Sequence, residues 1–196
     1  VLRGDPINSE TYFAAEKGGH KYASDLVKQV HGLNNGIYLD DDLRNSSKTN
    51  FCMGVAGYPE KHFEAPNMNS DIHFLKKKIE CGAEYIVTQM FFDNQKYFDF
   101  VKLCRDNDIN VPIIPGLKPL STAKHLNILP HRFHLNLPSE LVNEVLRCKN
   151  RDEIRGVGVE WAVQQTKELI SFGAPCVHYY TMGNTDNIIK IMSNFS

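Results

Sequence analysis

The sequence lacks long apolar runs, and it lacks an excess of either charge. Its 196 residues include 22 Lys and Arg against 23 Asp and Glu, for a formal net charge of −1. Binding to nucleic acid needs a clustered basic excess, so this balance argues against a nucleic-acid partner. No apolar stretch approaches the roughly 20 residues that a membrane-spanning helix needs, so we expect no membrane association.

The sequence also lacks a C-x-x-C pair. It has five cysteines, widely scattered and mostly beside apolar residues: Cys52, Cys81, Cys104, Cys148 and Cys176. An odd, dispersed set of this kind is typical of reduced, buried thiols. Reduced thiols indicate a cytoplasmic protein.

Familiar phosphate loops and metal-ligand patterns are missing as well. Gly156-Val-Gly158 lacks the third glycine of a dinucleotide fingerprint and lies inside a long helical pattern. No Walker-type loop is present. His62 with Glu64, and His131 with His134, have no further ligands at suitable spacing, so we predict no metal site. Any nucleotide would be bound by other means.

Apolar strand patterns and helical patterns alternate along the chain. Strands are predicted at residues 2–4, 51–56, 85–89, 111–115 and 176–180. Helices are predicted at residues 20–31, 71–82, 95–108, 123–129, 139–148, 152–172 and 187–192. This alternation predicts one α/β domain over residues 1–196, built on a parallel sheet.

A complete (βα)8 TIM-type barrel needs about 250 residues. Five strands fit the last five units of such a barrel better than a complete open sheet. The sequence begins with Val1 rather than Met, on what is predicted to be a strand end. We therefore expect the first strands of the barrel to be missing.

Polar side chains follow two of these strands at the point where each ends. One string is Ala56-Gly-Tyr-Pro-Glu-Lys-His-Phe-Glu-Ala65, and the other contains Thr88-Gln89 and Asp93. Active sites of parallel α/β proteins lie at the carboxyl ends of strands. The run Lys76-Lys-Lys78 is typical of a solvated helix face, with phosphate binding as the alternative.

Taken together and in order, the motifs of this chain resemble the methylenetetrahydrofolate reductase family. The resemblance rests on Leu2-Arg-Gly-Asp5, Tyr22-Ala-Ser-Asp25, the Ala56–Ala65 string, Asp71 with Lys76–Lys78, Thr88-Gln89 with Phe91-Phe-Asp93, Ile113-Ile-Pro-Gly116 and His178-Tyr-Tyr-Thr181. It implies a (βα)8 barrel that passes hydride from NADH or NADPH to FAD. The hydride then goes to 5,10-methylenetetrahydrofolate, which becomes 5-methyltetrahydrofolate in one-carbon and methionine metabolism.

The resemblance also implies roles for individual residues. The implied FAD contacts are Arg3, Gly4, Asp5, Tyr22, Ala23, Tyr58, His62, Ala65, Asp71 and Lys78. The implied catalytic residues are Asp5 and Gln89, and both are also expected to bind the folate, together with Tyr180.

The chain departs from the family pattern at two places. Thr181 is followed by Met-Gly-Asn184, where the family usually has Leu-Asn-Arg, so a substrate-holding arginine is absent. The family's catalytic glutamate and a cofactor-contacting threonine segment lie on strands that would precede Val1. We therefore expect this chain alone to be inactive.

Two other interpretations stay open. The chain could come from a different βα-barrel enzyme that binds a phosphate-bearing ligand, because barrels host many chemistries. It could instead be a non-catalytic fragment that associates with a partner chain through exposed sheet edges. The choice between NADH and NADPH and the oligomeric state, including a homo-oligomer, are also left open.

Overall fold

A single parallel sheet organises the fold, with strand order β1-β2-β3-β4. The computed structural model describes residues 1–4, 13–183 and 185–195. The strands are β1 (Gly54–Gly57), β2 (Tyr85–Met90), β3 (Ile113–Leu117) and β4 (His178–Tyr179). The helices are α1 (Ala23–Asn34), α2 (Met68–Glu80), α3 (Asn94–Asp106), α4 (His125–Phe133), α5 (Ser139–Arg147), α6 (Arg151–Phe172) and α7 (Asp186–Met192).

Helix boundaries follow local capping. The Asn67 side chain accepts a hydrogen bond from Ser70 N at the start of α2. The Asn150 side chain accepts bonds from two backbone amides at the start of α6. Gly173 ends α6 in the left-handed region (φ 97°), which glycine adopts without steric cost. The predicted helices are confirmed, with their ends shifted by a few residues.

The two faces of the sheet differ in burial. In β2, Ile86, Thr88 and Met90 are buried, whereas Tyr85, Val87 and Gln89 are half-buried on the opposite face. Side chains alternate between faces along a strand, so the second set shares one side of the sheet. That side is called the inner face below, and the opposite side, which carries Ile86, Thr88 and Met90, is called the outer face.

The outer face packs against helices in one main core. Its buried members include Val27 of α1, Leu75 of α2, Phe100 of α3 and Ile86 of the sheet. A second core joins the carboxyl ends of the central strands to α4, α5 and α6. Its buried members are Met90, Phe92, Leu120, Leu129, Leu135, Leu141, Val145 and Ile154. Helices α4, α5 and α6 therefore pack against the carboxyl ends of the central strands.

The predicted strand at residues 2–4 is wrong, because these residues are irregular in the structure. The Val1 amino group does donate to Gly54 O on the free edge of β1, at 2.5 Å. Along a strand, alternate carbonyls point to the same side, so Ala56 O is the next acceptor on that edge. Lys78 Nζ already donates to Ala56 O at 2.6 Å. Among the described residues, the Val1 bond is the one hydrogen bond between this segment and β1.

The sheet is open in the described part of the chain, because β1 and β4 lie at its two edges. All strand pairs are parallel, as predicted for an α/β fold. Closure into a (βα)8 barrel stays a prediction. Over the described residues, none of the helices combines the length and apolar character required to cross a bilayer.

The expectation that the thiols are buried is wrong for most of them. The cysteines are all free, but Cys104 alone is fully buried, while Cys52 and Cys176 are exposed. An apolar neighbour in sequence does not ensure burial, since Phe51, beside Cys52, is itself 55% exposed. In α6, Ile170 is 54% exposed, although the adjacent Leu169 is fully buried.

Candidate functional site

The polar loop after β1 folds back over its own backbone. Lys61 lies in the left-handed region (φ 77°). Its ammonium donates to His62 O at 2.9 Å and to Ala65 O at 2.6 Å. Ala65 N in turn donates to His62 O at 3.0 Å. The loop is therefore closed by local bonds before α2 begins.

Four predicted cofactor residues join in one polar network around His62. Asp71, in the first turn of α2, accepts a hydrogen bond from His62 N at 2.8 Å. Glu64 N donates to the His62 ring Nδ1 at 3.2 Å. Arg3 pairs with the Glu64 carboxylate at 2.6 Å. The Tyr58 ring meets the His62 ring edge-on, with centroids 4.6 Å apart.

Lys78, in the last turn of α2, is the remaining charged residue of this cluster. Burial lowers the pKa of its ammonium from 10.5 to about 8, although the nearby Asp71 acts in the opposite direction. Burial also lowers the pKa of His62, with Asp71 and Glu64 opposing and Arg3 and Lys78 reinforcing the shift. The other lysines of the run differ, since Lys77 is exposed and Lys76 pairs with Asp108 at 3.2 Å. One lysine of the three therefore faces the polar cluster.

A second group of residues meets where β2, β3 and β4 end. The Tyr180 hydroxyl donates to Thr88 O at 2.8 Å. Gly116 N donates to the Thr88 hydroxyl at 2.9 Å instead of to a backbone carbonyl. A Cβ at Gly116 would overlap Thr88 O and press on the Tyr180 ring, so glycine is needed there. Burial raises the pKa of Tyr180.

Gln89 links the two groups through the strand register. Gly57 pairs with Thr88. Gln89 is the next residue of β2, and Tyr58 is the first residue after β1. Alternation therefore places Tyr58 and Gln89 on the inner face together. The Gln89 side-chain oxygen accepts from Met90 N at 3.0 Å. Its amide NH₂ group has no partner among the described residues.

The remaining predicted residues lie apart or outside the description. Tyr22 precedes α1 and is 50% exposed, and Ala23 begins that helix. Within the described ranges, no hydrogen bond or ring contact joins either residue to the His62 cluster. Gly4 has no atom near its missing Cβ. Asp5 and Asn184 lie outside the described residues.

Sequence reasoning missed a charged residue at the end of β3. Lys118 directly follows that strand, and its ammonium donates to Tyr180 O at 3.3 Å. The pKa of His125, at the start of α4, is lowered by burial first and then by the charges of Lys118 and Arg151. The signal that could have found Lys118 is its position, one residue beyond the apolar strand Ile113–Leu117.

A cavity of about 530 Å³ lies between the segments that follow β1 and β2 and helix α6. Glu60, predicted as part of the polar string, lines it together with Asp93, Trp161 and Glu168. The Glu60 carboxylate accepts bonds from the backbone and side-chain amides of Asn136. The predicted cofactor and folate residues do not line this cavity.

Comparisons with known proteins agree on one family. The family model described as methylenetetrahydrofolate reductase matches residues 1–196. The chain is 32% identical over 204 residues to methylenetetrahydrofolate reductase (NADH) 1 of Arabidopsis thaliana, covering 99% of this chain and 32% of that protein. It is 33% identical over 193 residues to methylenetetrahydrofolate reductase 1 of Schizosaccharomyces pombe, covering 98% and 30%.

A bacterial relative and a solved structure extend these matches. The chain is 32% identical over 200 residues to 5,10-methylenetetrahydrofolate reductase of Buchnera aphidicola, covering 100% of this chain and 61% of that protein. An uncharacterized Clostridium thermocellum protein that binds two copies of 5-methyl-5,6,7,8-tetrahydrofolic acid has a similar fold. Its TM-score is 0.55 at 17% identity, covering 95% of this chain and 63% of that chain. The chain spans about a third of the length of the plant and yeast relatives.

Proposed function

Because this chain belongs to the methylenetetrahydrofolate reductase family, we propose that the protein reduces 5,10-methylenetetrahydrofolate to 5-methyltetrahydrofolate. NADH or NADPH is the proposed hydride donor, and FAD is the proposed bound cofactor. In this proposal residues 1–196 form one part of a (βα)8 barrel whose remaining strands come from outside this sequence.

The observation that carries the proposal is the polar cluster around His62. A flavin nucleotide presents phosphates, ribose hydroxyls and an aromatic ring system, so its site needs cations, acceptors and rings. Lys78 supplies positive charge, as does Arg3, which is paired with Glu64. Asp71 supplies an acceptor, and Tyr58 supplies a ring. Lys78 donates to a carbonyl rather than to a carboxylate, which leaves its charge available to a phosphate.

These residues fit FAD by the chemistry of their donor set. Lys78 and Arg3 would hold the polar nucleotide part, and Tyr58 and His62 would line the ring system. Asp71 positions the loop by accepting from His62 N. When bound, FAD supplies hydride transfer between the two substrates. Tyr22, Ala23, Gly4 and Ala65 stay proposed cofactor contacts on the resemblance alone.

On the folate side, we assign binding to Gln89 and Tyr180 at the neighbouring strand ends. A carboxamide offers both a donor and an acceptor, which suits the lactam-like edge of a pterin. The ring of Tyr180 is held by its bond to Thr88 O, so it offers a fixed apolar wall. Asp5 is proposed to stabilise the cationic iminium that forms when the folate ring opens.

We also propose a cytoplasmic location. All five thiols are free, and disulfides are rare in reducing compartments.

The experiment is a pair of half-reactions in the longest natural form of the protein, measured anaerobically through flavin absorbance. NADH or NADPH should bleach bound FAD, and 5,10-methylenetetrahydrofolate should restore its colour with formation of 5-methyltetrahydrofolate. Gln89→Glu should slow the folate step far more than the nicotinamide step, because it replaces a pterin-reading amide by an anion. A protein that binds no flavin would favour a different phosphate-ligand barrel enzyme.

A further inference from the structure

The loop after β1, residues 58–65, is attached to a distant part of the chain through a carboxylate. The Glu60 carboxylate accepts a hydrogen bond from Asn136 N at 3.0 Å and another from the side-chain amide of Asn136. The two residues lie 76 positions apart in the sequence. Over the described residues, no ion pair includes Glu60. Hydrogen bonds to an ionised acceptor are stronger than those between neutral groups, so this attachment is a firm one.

Stacked rings make a second attachment between the same two regions. The Phe63 ring stacks on the His134 ring, with centroids 5.0 Å apart and an interplanar angle of 21°. It also stacks on the His62 ring, with centroids 4.9 Å apart. Phe63 is 51% exposed, so ring contacts rather than burial in a core fix its position. Together with the edge-on contact of Tyr58 and His62, the rings form a continuous series from the end of β1 to the end of α4.

The segment that receives both attachments, residues 134–137, is itself anchored. His134 ends α4 in the left-handed region (φ 53°). Leu135 is buried in the second core, and Leu137 packs against that core. The same core contains Met90 and is packed by Tyr180, at the strand ends where folate binding is proposed. The segment is therefore fixed relative to the folate side of the proposed site.

The other bonds of the loop come from closer by. Lys61 closes the loop on its own backbone, and Asp71 holds His62 N from the adjacent helix α2. These bonds shape the loop, whereas the carboxylate bond and the ring stack set its place relative to the folate side. An irregular loop that is not held before binding pays its ordering entropy when the ligand binds, which weakens affinity. Hydride transfer is also sensitive to small misplacements of the two reacting groups.

We propose that Glu60 and Phe63 are positioning residues for the flavin. They dock the loop on residues 134–137 and so hold Tyr58 and His62, the proposed ring contacts, in place opposite the folate side. This inference rests on the proposed function. Both residues act through their neighbours, so neither has to touch the cofactor, the substrate or the reacting atoms.

The test measures FAD binding to the apoprotein of the longest natural form of the protein. Dissociation constants are obtained by fluorescence titration for the wild type, Glu60→Ala, Glu60→Gln and Phe63→Leu. Visible circular dichroism at saturating FAD reports the surroundings of the bound flavin ring separately from affinity. Glu168→Ala is the matched control. Glu168 lines the same cavity as Glu60 and also accepts hydrogen bonds from side-chain amides, but it lies on α6 and not in the loop.

Glu60→Ala should raise the FAD dissociation constant about 10-fold, and Phe63→Leu should raise it about 2–10-fold. Both substitutions should alter the flavin circular dichroism. Glu60→Gln keeps a carbonyl acceptor for Asn136 and should recover most of the affinity. Adding Asn136→Ala to Glu60→Ala should cause little further loss, because both remove the same attachment. Glu168→Ala should keep the wild-type affinity and spectrum, and thermal midpoints check that each variant is folded.

Two results would overturn the inference while the proposed function stands. In one, Glu60→Ala and Phe63→Leu keep the wild-type affinity and circular dichroism. In the other, Glu168→Ala loses as much affinity as Glu60→Ala, which would mean that general destabilisation causes the loss. A wild type that binds no FAD would instead overturn the proposed function, and this inference with it.

Discussion

Lys78 lies on α2, yet its ammonium contacts the backbone of β1 rather than solvent. Burial holds its pKa near 8, well below 10.5, although Asp71 favours the charged form. A buried ammonium of this kind loses its proton easily, and an incoming anion would stabilise its charged form. The residue therefore connects the stability of the β1 edge with the proposed phosphate site.

This environment predicts a pH-dependent contribution to stability. Between about pH 8 and 10.5, the unfolded chain retains a proton on Lys78 that the folded protein has released. The free energy of unfolding should therefore gain about 1–3 kcal/mol from this residue as pH rises through that window. Urea denaturation at both ends of the window measures it.

The comparison with Lys78→Met isolates this contribution. Tyr97 and Cys104 have pKa values raised to about 12, so they lower stability as pH rises in both proteins. The difference, wild type minus Lys78→Met, should increase with pH, and FAD retention should fall in the variant. If this difference in free energy of unfolding is constant with pH and FAD affinity is unchanged, Lys78 behaves as an ordinary surface lysine.

At the scale of elements, α6 approaches the segment after β3 so closely that one glycine has no room for a side chain. A Cβ at Gly158 would overlap Leu120 O, whereas a Cβ at Gly156 would meet open space. Both glycines lie in the same helix, two residues apart. Alanine substitutions at these two glycines therefore distinguish the effect of helix propensity from the effect of packing against Leu120.

Gly158→Ala should destabilise the protein by about 1–3 kcal/mol, because α6 must move away from Leu120. Gly156→Ala should stabilise it by about 0.5–1 kcal/mol, because alanine loses less conformational freedom in a helix. Urea denaturation of both variants measures the difference in sign. Two stabilising substitutions would mean that α6 does not approach Leu120 in solution.

At the scale of the whole molecule, the sheet is open at β1 and β4 in the described residues. Exposed strand edges favour association with other strands. The resemblance implies that the family's catalytic glutamate lies outside this sequence, and a positioned acid is worth about 10²–10⁴ in rate. We propose that the rest of a barrel supplies both strand partners and the acid.

The isolated 196-residue chain should show no measurable folate reduction when FAD, nicotinamide and methylenetetrahydrofolate are supplied. Size-exclusion chromatography should show it self-associated rather than monomeric. The longest natural form of the protein, assayed side by side, is the positive control. Turnover of the isolated chain at a comparable rate would show that the acid lies within these residues.

Local patterns predicted the elements well, because helix and strand periodicity depend on nearby residues. Apolar spacing located β2 and α6 to within one residue. The motif order indicated the family, which the comparisons confirmed. Residues 2–4 were the exception, because a strand needs a continuous ladder and the described segment bonds to β1 through the Val1 amino group alone.

The sequence by itself determined the order of strands and helices, the parallel α/β class and the family. These follow from short-range periodicity and from motifs that are contiguous in the chain. Tertiary structure alone decided which of three adjacent lysines faces the polar cluster, and it alone brought the Lys118 ammonium to Tyr180 O. Such contacts depend on helix rotation and strand register, which bring together residues that are far apart in the sequence.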